Sequence, residues 1–171
     1  VNLGLLPGID GDYQKRSVAL TVNDCGRFRD DWVHLTVNGS APCVFTRGLD
    51  RLEFPIRHGE GKFYAEASVM ERLAADHQIA LQYATAAGRP AVGHFPENPN
   101  GSLADVAGIC DPTGRIFGLM PHPEAFNHPT NHPDWTRLKA LDPAQWRSQA
   151  SAITPGVRLL KNGVDYLKAR P

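Results

Sequence analysis

Residues 118–124 read Gly-Leu-Met-Pro-His-Pro-Glu, an apolar run stopped by two prolines that bracket a single histidine. Each proline fixes its own φ at about −65° and biases the residue before it toward extended geometry, so the segment is rigid. His122 and Glu124 lie two residues apart, and in an extended backbone their side chains leave on the same side. There a carboxylate can hold an imidazole in one tautomer while the other ring nitrogen faces a substrate or a nucleophile. That is the base-and-orienter half of a catalytic triad. The same residues also read as a surface loop with an incidental His and Glu.

The chain of 171 residues suits one domain with a real core. Its 18 basic residues balance 18 acidic ones, so nothing points to nucleic acid or a membrane surface as a partner. No apolar stretch approaches the roughly 18 residues needed to span a bilayer, and no signal peptide is visible. The three cysteines, Cys25, Cys43 and Cys110, are odd in number and widely spaced, with no CxxC. This argues against a disulfide framework and a zinc-thiolate site, and it suits a reducing cytoplasm. The 16 glycines and 14 prolines fall at turns between short strands, as in a loop-rich enzyme domain. The first residue is Val, and Val1 to Gly8 reads as a helix end followed by a stop signal, so the chain reads as lacking its N-terminal part.

The expected elements are strands at Ser17–Val22, Trp32–Val37, Leu52–Ile56 and Ile79–Ala84. Asn38-Gly39-Ser40 forms a turn. A helix covers Ser68–His77, with Ser68 as N-cap and Val69, Met70 and Leu73 on one face. Two further strands, Val106–Cys110 and Arg115–Met120, flank the turn sequence Asp111-Pro112-Thr113-Gly114 and so form a hairpin. Pro155–Ala169 reads as an amphipathic helix with Val157, Leu160, Val164 and Leu167 on its apolar stripe. Strands in the middle framed by helices make the class α/β.

Six segments occur in one order: Gly4-Leu5-Leu6-Pro7-Gly8; Gly26-Arg27-Phe28 with Trp32-Val33; Pro55 to Phe63 around His58-Gly59-Glu60-Gly61; Asn98-Pro99-Asn100-Gly101-Ser102; Gly108-Ile109-Cys110-Asp111; and Gly118 to Glu124. Together they resemble, over nearly the whole chain, the glutamine amidotransferase subunit or domain of phosphoribosylformylglycinamidine synthase, a triad-type glutamine amidotransferase. The resemblance implies a flavodoxin-like fold, a parallel sheet flanked by helices. Residues 1–171 would be the C-terminal part of a single amidotransferase domain. It also implies a glutaminase reaction. A cysteine thiolate attacks the glutamine side-chain amide, ammonia leaves, and water hydrolyses the thioester to glutamate. The ammonia passes to a synthetase subunit or domain of the same enzyme in purine biosynthesis. ATP and magnesium serve that synthetase, and this domain carries no cofactor or metal of its own. His122 matches the base and Glu124 the residue that orients it.

The family's nucleophile sits on an elbow reading roughly Gly-x-Cys-Asn-Gly, upstream of the match to Leu3–Gly8, so this chain starts too late to contain it and should not hydrolyse glutamine alone. Cys110 is a decoy: a working elbow needs a helix after the cysteine, whereas Cys110 precedes a hairpin turn. Cys25 and Cys43 read as structural. The loop His58-Gly59-Glu60-Gly61 reads either as a functional loop at the substrate or synthetase contact or as a tight turn. Asn100 and Ser102 likewise fit either binding or local turn hydrogen bonds. A sheet missing its first strands would expose unpaired edges.

Arg29 and Asp31 invert the charges common at these family positions and share a face, which predicts a retained ion pair. Ala125 stands where many members have Arg. Two other readings compete with the glutaminase. One is a non-catalytic amidotransferase-like scaffold that binds a synthetase. The other is a metal-dependent hydrolase using His122, His128, His132 and Asp134, although Pro123, Pro129 and Pro133 interrupt that set. Trp135, Trp146 and Tyr166 read as core caps beside the terminal helix, or as partner contacts.

Overall fold

The computed structural model describes residues 1 and 3–169, with the side chains of residues 149 and 150 outside the description. Seven strands are present: β1 (Val18–Thr21), β2 (Arg29–Val37), β3 (Arg51–His58), β4 (Lys62–Ala65), β5 (Ile79–Ala84), β6 (Val106–Cys110) and β7 (Phe117–Leu119). Four helices accompany them: α1 (Ala67–Ala75), α2 (Trp135–Leu141), α3 (Pro143–Ser151) and α4 (Pro155–Lys168). Five strands form one sheet in the order β3-β2-β5-β6-β7, and β1 and β4 form a separate ribbon. Every pairing among the described strands is antiparallel, in contrast to the expected parallel arrangement. A short link explains the β6–β7 pair: residues 111–116 are too few for the crossover that a parallel pair needs, whereas β2 and β3 are joined by the longer loop 38–50, which contains a 3-10 turn at Val44–Thr46.

Alternation sets the core. Val33 and Leu35 of β2 and Leu52, Phe54 and Ile56 of β3 bury one face, joined by Leu81 and Tyr83 of β5 and by Leu159 of α4. A second cluster joins Leu6, Val18, Phe63, Leu73, Ile79, Val106 and Ile109, so α1 and the ribbon pack here. All five residues of β6 are buried, as fits an interior strand. The Asp111–Gly114 turn closes the β6–β7 hairpin through a Gly114 N–H to Asp111 carbonyl bond of 2.9 Å.

Three local expectations are corrected. The N-cap of α1 is Glu66 and makes no side-chain capping bond, so Ser68 lies inside the helix. The opening Leu3–Pro7 is a run of turns, with a Gly4 N–H to Val1 carbonyl bond, and no helix end; Asn2 lies outside the described residues. In α4 the expected apolar stripe faces outward: Leu160, Val164 and Leu167 are exposed, while Gly156 and Leu159 are buried. The helix approaches the body through its glycines. A methyl group on Gly163 would stand 2.7 Å from the Phe45 ring. Asn162 donates to the carbonyls of Phe45 and Arg47 at 2.8 Å each. Among the described residues, no helix is long and apolar enough to cross a membrane.

Candidate active site

Strand β3 is an edge, which is where a proline can sit in a sheet without removing a ladder hydrogen bond. Pro55 occupies it opposite Trp32 and turns its carbonyl outward to accept the His122 N–H at 2.7 Å. The chain reaches this point directly from β7. Pro123 then opens a 3-10 turn, Pro123–Ala125, in which the Ala125 N–H donates to the His122 carbonyl at 3.1 Å. Proline suits the first position of such a turn because its missing N–H has no partner to lose there. The segment is therefore not extended throughout: His122 has φ −106 and ψ 83, and Glu124 lies within the turn.

The two side chains meet nonetheless, with His122 Nδ1 and Glu124 Oε1 2.7 Å apart. A carboxylate can only accept, so Nδ1 carries the hydrogen and Nε2 keeps its lone pair. The imidazole side chain is 37% exposed and the carboxylate 62%, which leaves both reachable from solvent. A hydrogen-bonded pair this open contributes little to stability, so its value lies in orientation.

Beside this turn lies a buried polar cluster built from three loops. His58 Nδ1 faces Asn23 Oδ1 at 3.1 Å, and His58 Nε2 faces Asn100 Nδ2 at 3.5 Å. The Asn23 oxygen can only accept, which places the His58 hydrogen on Nδ1. Burial pushes the His58 imidazole below its ordinary pKa, so His58 is held neutral. Asn23 also accepts from the Gly61 N–H at 2.9 Å and donates to the carbonyls of Arg27 and His58. Asn100 donates to the Gly61 carbonyl at 2.8 Å and to Tyr83 Oη at 3.1 Å. Ser102 Oγ donates to Asn100 Oδ1 at 2.7 Å and accepts from the Phe63 N–H at 2.9 Å.

His58, Asn100 and Ser102 are thus interior and mutually bonded, whereas Glu60 is exposed at the tip of the same loop and Gly59 is half-buried. Gly101 holds a φ of 81 that favours glycine, and Asn98 Oδ1 accepts its N–H at 2.9 Å. Asn23 was not legible as a hub. It sits in an Asn-Asp-Cys-Gly turn, and no sequence spacing links it to a histidine 35 residues on.

Arg29 and Asp31 form the expected pair at 3.0 Å, and the Arg29 guanidinium also lies 4.9 Å from the centre of the Phe95 ring. Cys43 and Cys110 are fully buried side by side, and Cys25 is exposed. Cys110 pairs with Phe117 at the start of β7, five residues before His122, and its thiol is sealed in the core. The four side chains of the metal reading take separate side-chain partners, although the Asp134 N–H donates to His132 Nδ1 at 3.1 Å. His122 meets Glu124, His128 meets Thr130, His132 meets Glu53 at 3.2 Å, and Asp134 meets Arg137. Among the described residues no three His, Cys, Asp or Glu side chains converge to hold a metal. Trp135 and Trp146 pack against each other at 6.0 Å between α2 and α3, and the Arg47 guanidinium lies over Tyr166 at 5.3 Å. A cavity of about 320 Å³, lined by Val1, Leu6, Leu20, Phe63, Gly118 and Met120 among others, brings the opening residue beside the strand that leads to His122.

The model of the CobB/CobQ-like glutamine amidotransferase domain matches residues 1–167. The phosphoribosylformylglycinamidine synthase subunit PurQ of Methanococcus maripaludis is 41% identical over 165 residues, which cover 96% of this chain and 60% of that protein. The subunit of the same name from Dehalococcoides mccartyi is 44% identical over 135 residues, covering 79% of this chain and 50% of that protein. The chain therefore spans 60% or less of the length of these relatives. A solved structure of PurLQS from Thermotoga maritima aligns over 87% of this chain and 52% of that one, with a TM-score of 0.53 and 24% identity, a likeness of fold.

Proposed function

This chain belongs to the CobB/CobQ-like glutamine amidotransferase domain family, and we propose that it is the C-terminal part of the glutaminase component of phosphoribosylformylglycinamidine synthase. Its fold is the α/β, flavodoxin-like fold of triad amidotransferases, of which the described strands form an antiparallel portion. The observation that carries the reading is the 2.7 Å contact between His122 Nδ1 and Glu124 Oε1.

With Nδ1 committed to the carboxylate, Nε2 accepts the proton of a cysteine thiol. The thiolate forms a bond to the glutamine amide carbon, His122 returns the proton to the departing nitrogen, and ammonia leaves. Water then attacks the glutamyl thioester, with His122 again taking the proton, and glutamate departs while the thiol is restored. In this reading the sulfur lies outside residues 1–171, which is supported by the burial of Cys43 and Cys110 in the core and by the turn and strand β2, not a helix, that follow Cys25. On this reading residues 1–171 alone should release no ammonia from glutamine.

Ammonia goes to an ATP- and magnesium-dependent synthetase of the same enzyme, and this domain needs no cofactor. In this reading Gly59 and Glu60 face the substrate or the synthetase, while His58, Asn100 and Ser102 hold their loop. The protein works in the cytoplasm, a setting that suits its odd, CxxC-free cysteines.

The test is ammonia release from glutamine by the full-length protein with its synthetase. His122→Asn should lower kcat by about 10³-fold or more, and Glu124→Gln by about 10²- to 10⁴-fold. A His122→Asn enzyme with near wild-type kcat would sink the proposal.

A further inference from the structure

The segment that carries His122 and Glu124 is short, half-exposed and has no more than a single 3-10 turn, yet a triad base has to be held to within a fraction of an ångström. Two features at the start of α4 bear on this. Thr154 is the N-cap of α4 and is buried. Its hydroxyl donates to the Phe126 carbonyl at 2.6 Å and accepts the Val157 N–H at 3.4 Å, so one side chain ties the helix to the end of the catalytic turn. Two residues on, Gly156 lies against the turn backbone itself. A methyl group there would overlap the Pro123 carbonyl oxygen outright and stand 2.6 Å from the Phe126 carbonyl oxygen.

The other flank is fixed independently. The Pro55 carbonyl holds the His122 N–H, and the Phe126 ring stands edge-on to Trp32 with centroids 5.0 Å apart. Trp32 in turn contacts His132 at 4.8 Å. The five residues His122–Phe126 are thus gripped between the β3 edge and the first turn of α4, elements nearly a hundred residues apart in sequence.

We propose that Thr154 and Gly156 are positioning residues for the His122–Glu124 pair: the start of α4 clamps the backbone of the catalytic turn, and the clamp sets the ring orientation that the Nδ1–carboxylate bond requires. This inference rests on the glutaminase reading for its kinetic consequence, but the clamp acts on the ring whatever the reaction.

The experiment uses Thr154→Val, which keeps the shape and removes the donor, and Thr154→Ser, which keeps the donor. Gly156→Ala is the harsher perturbation, since relieving the overlap needs a shift of about 1 Å. In the full-length protein two quantities are read: kcat and KM for glutamine, and the imidazole ¹⁵N shifts of His122, which report which ring nitrogen carries the proton. Thr154→Val should lower kcat by about tenfold with KM changed by less than about twofold, and Gly156→Ala should lower kcat by about 100-fold. In Thr154→Val the His122 ring should lose its single Nδ1–H tautomer. Thr154→Ser should keep both kcat and tautomer. If Thr154→Val lowers only the melting temperature while kcat and the tautomer stay as in wild type, Thr154 is merely structural and the clamp is refuted, even if Gly156→Ala fails to fold. If the wild-type protein releases no ammonia, the glutaminase reading fails, and the ¹⁵N shifts alone decide the clamp: an unchanged tautomer in Thr154→Val rejects it, a lost one supports it.

Discussion

Replacing Asn100 by Ala separates a residue that builds the loop from one that only waits for a ligand. The Asn100 amide donates to the Gly61 carbonyl and Tyr83 Oη, and accepts from the Ser102 N–H at 3.1 Å and from Ser102 Oγ. Asn100 is only 1% exposed, so water does not replace these bonds when the amide is removed. At about 1 kcal/mol each, the four bonds give an upper figure of about 4 kcal/mol. The Ser102 hydroxyl can turn its hydrogen to the Gly61 carbonyl, 3.4 Å away, which lowers the expected loss to about 3 kcal/mol. For a domain of this length each kcal/mol corresponds to roughly 2–4 °C, so the melting temperature should fall by about 10 °C. Urea unfolding of wild type and Asn100→Ala, followed by circular dichroism, measures the free-energy change directly. Tyr83→Phe, which removes one hydroxyl from the same cluster, should cost only about 1 kcal/mol. A loss below about 1 kcal/mol for Asn100→Ala, with m unchanged, would refute the network and return Asn100 to a surface binding role.

Asp111 predicts a pH dependence. Burial pushes its carboxyl up, but bonds from Thr113 Oγ1, the Ile116 N–H, Tyr13 Oη and the Thr113 N–H outweigh this and hold it below the ordinary carboxylate value. A lowered folded pKa gives stability that is full above the unfolded value, about 3.9, and lost as pH falls through the folded one. The melting-temperature deficit of Asp111→Asn should therefore be largest near pH 7 and narrow steadily below about pH 4, and a deficit constant across that range would contradict it. Thiol labelling of the native protein should modify Cys25 and spare Cys43 and Cys110, although a hydrogen bond from Cys110 draws the Cys43 thiol down to about 7. All three should react after denaturation, and fast native labelling of Cys43 would show that the core opens more readily than its packing implies.

Much of the local structure could be read from the sequence because its signals are local. Ile79–Ala84 is a strand with the expected bounds, and the Asp111–Gly114 hairpin forms as its turn chemistry requires. Arg29 and Asp31 pair as their shared face predicts. His122 and Glu124 were identifiable because the two prolines restrict the backbone between them, although the backbone they adopt is a 3-10 turn. The buried face of α4 was misread for a physical reason. Pattern analysis weighs large apolar residues, while this helix docks through Gly156 and Gly163, where close backbone approach matters more than side-chain bulk. Thr154 and Asn23 gave no signal, since their partners lie 28 and 35 residues away and short polar side chains are common in turns. The antiparallel sheet was missed because strand direction follows from connections, and the resemblance supplied a family topology instead.

In the proposed glutaminase, His122 activates a sulfur located outside residues 1–171. A diazoketone analogue of glutamine, which alkylates the attacking cysteine of an active amidotransferase, tests this most directly when the full-length protein is digested and the modified peptide identified by mass spectrometry. The label should fall on a cysteine outside residues 1–171, and His122→Asn should abolish it. Label on Cys25, Cys43 or Cys110, or undiminished labelling in His122→Asn, would contradict the account.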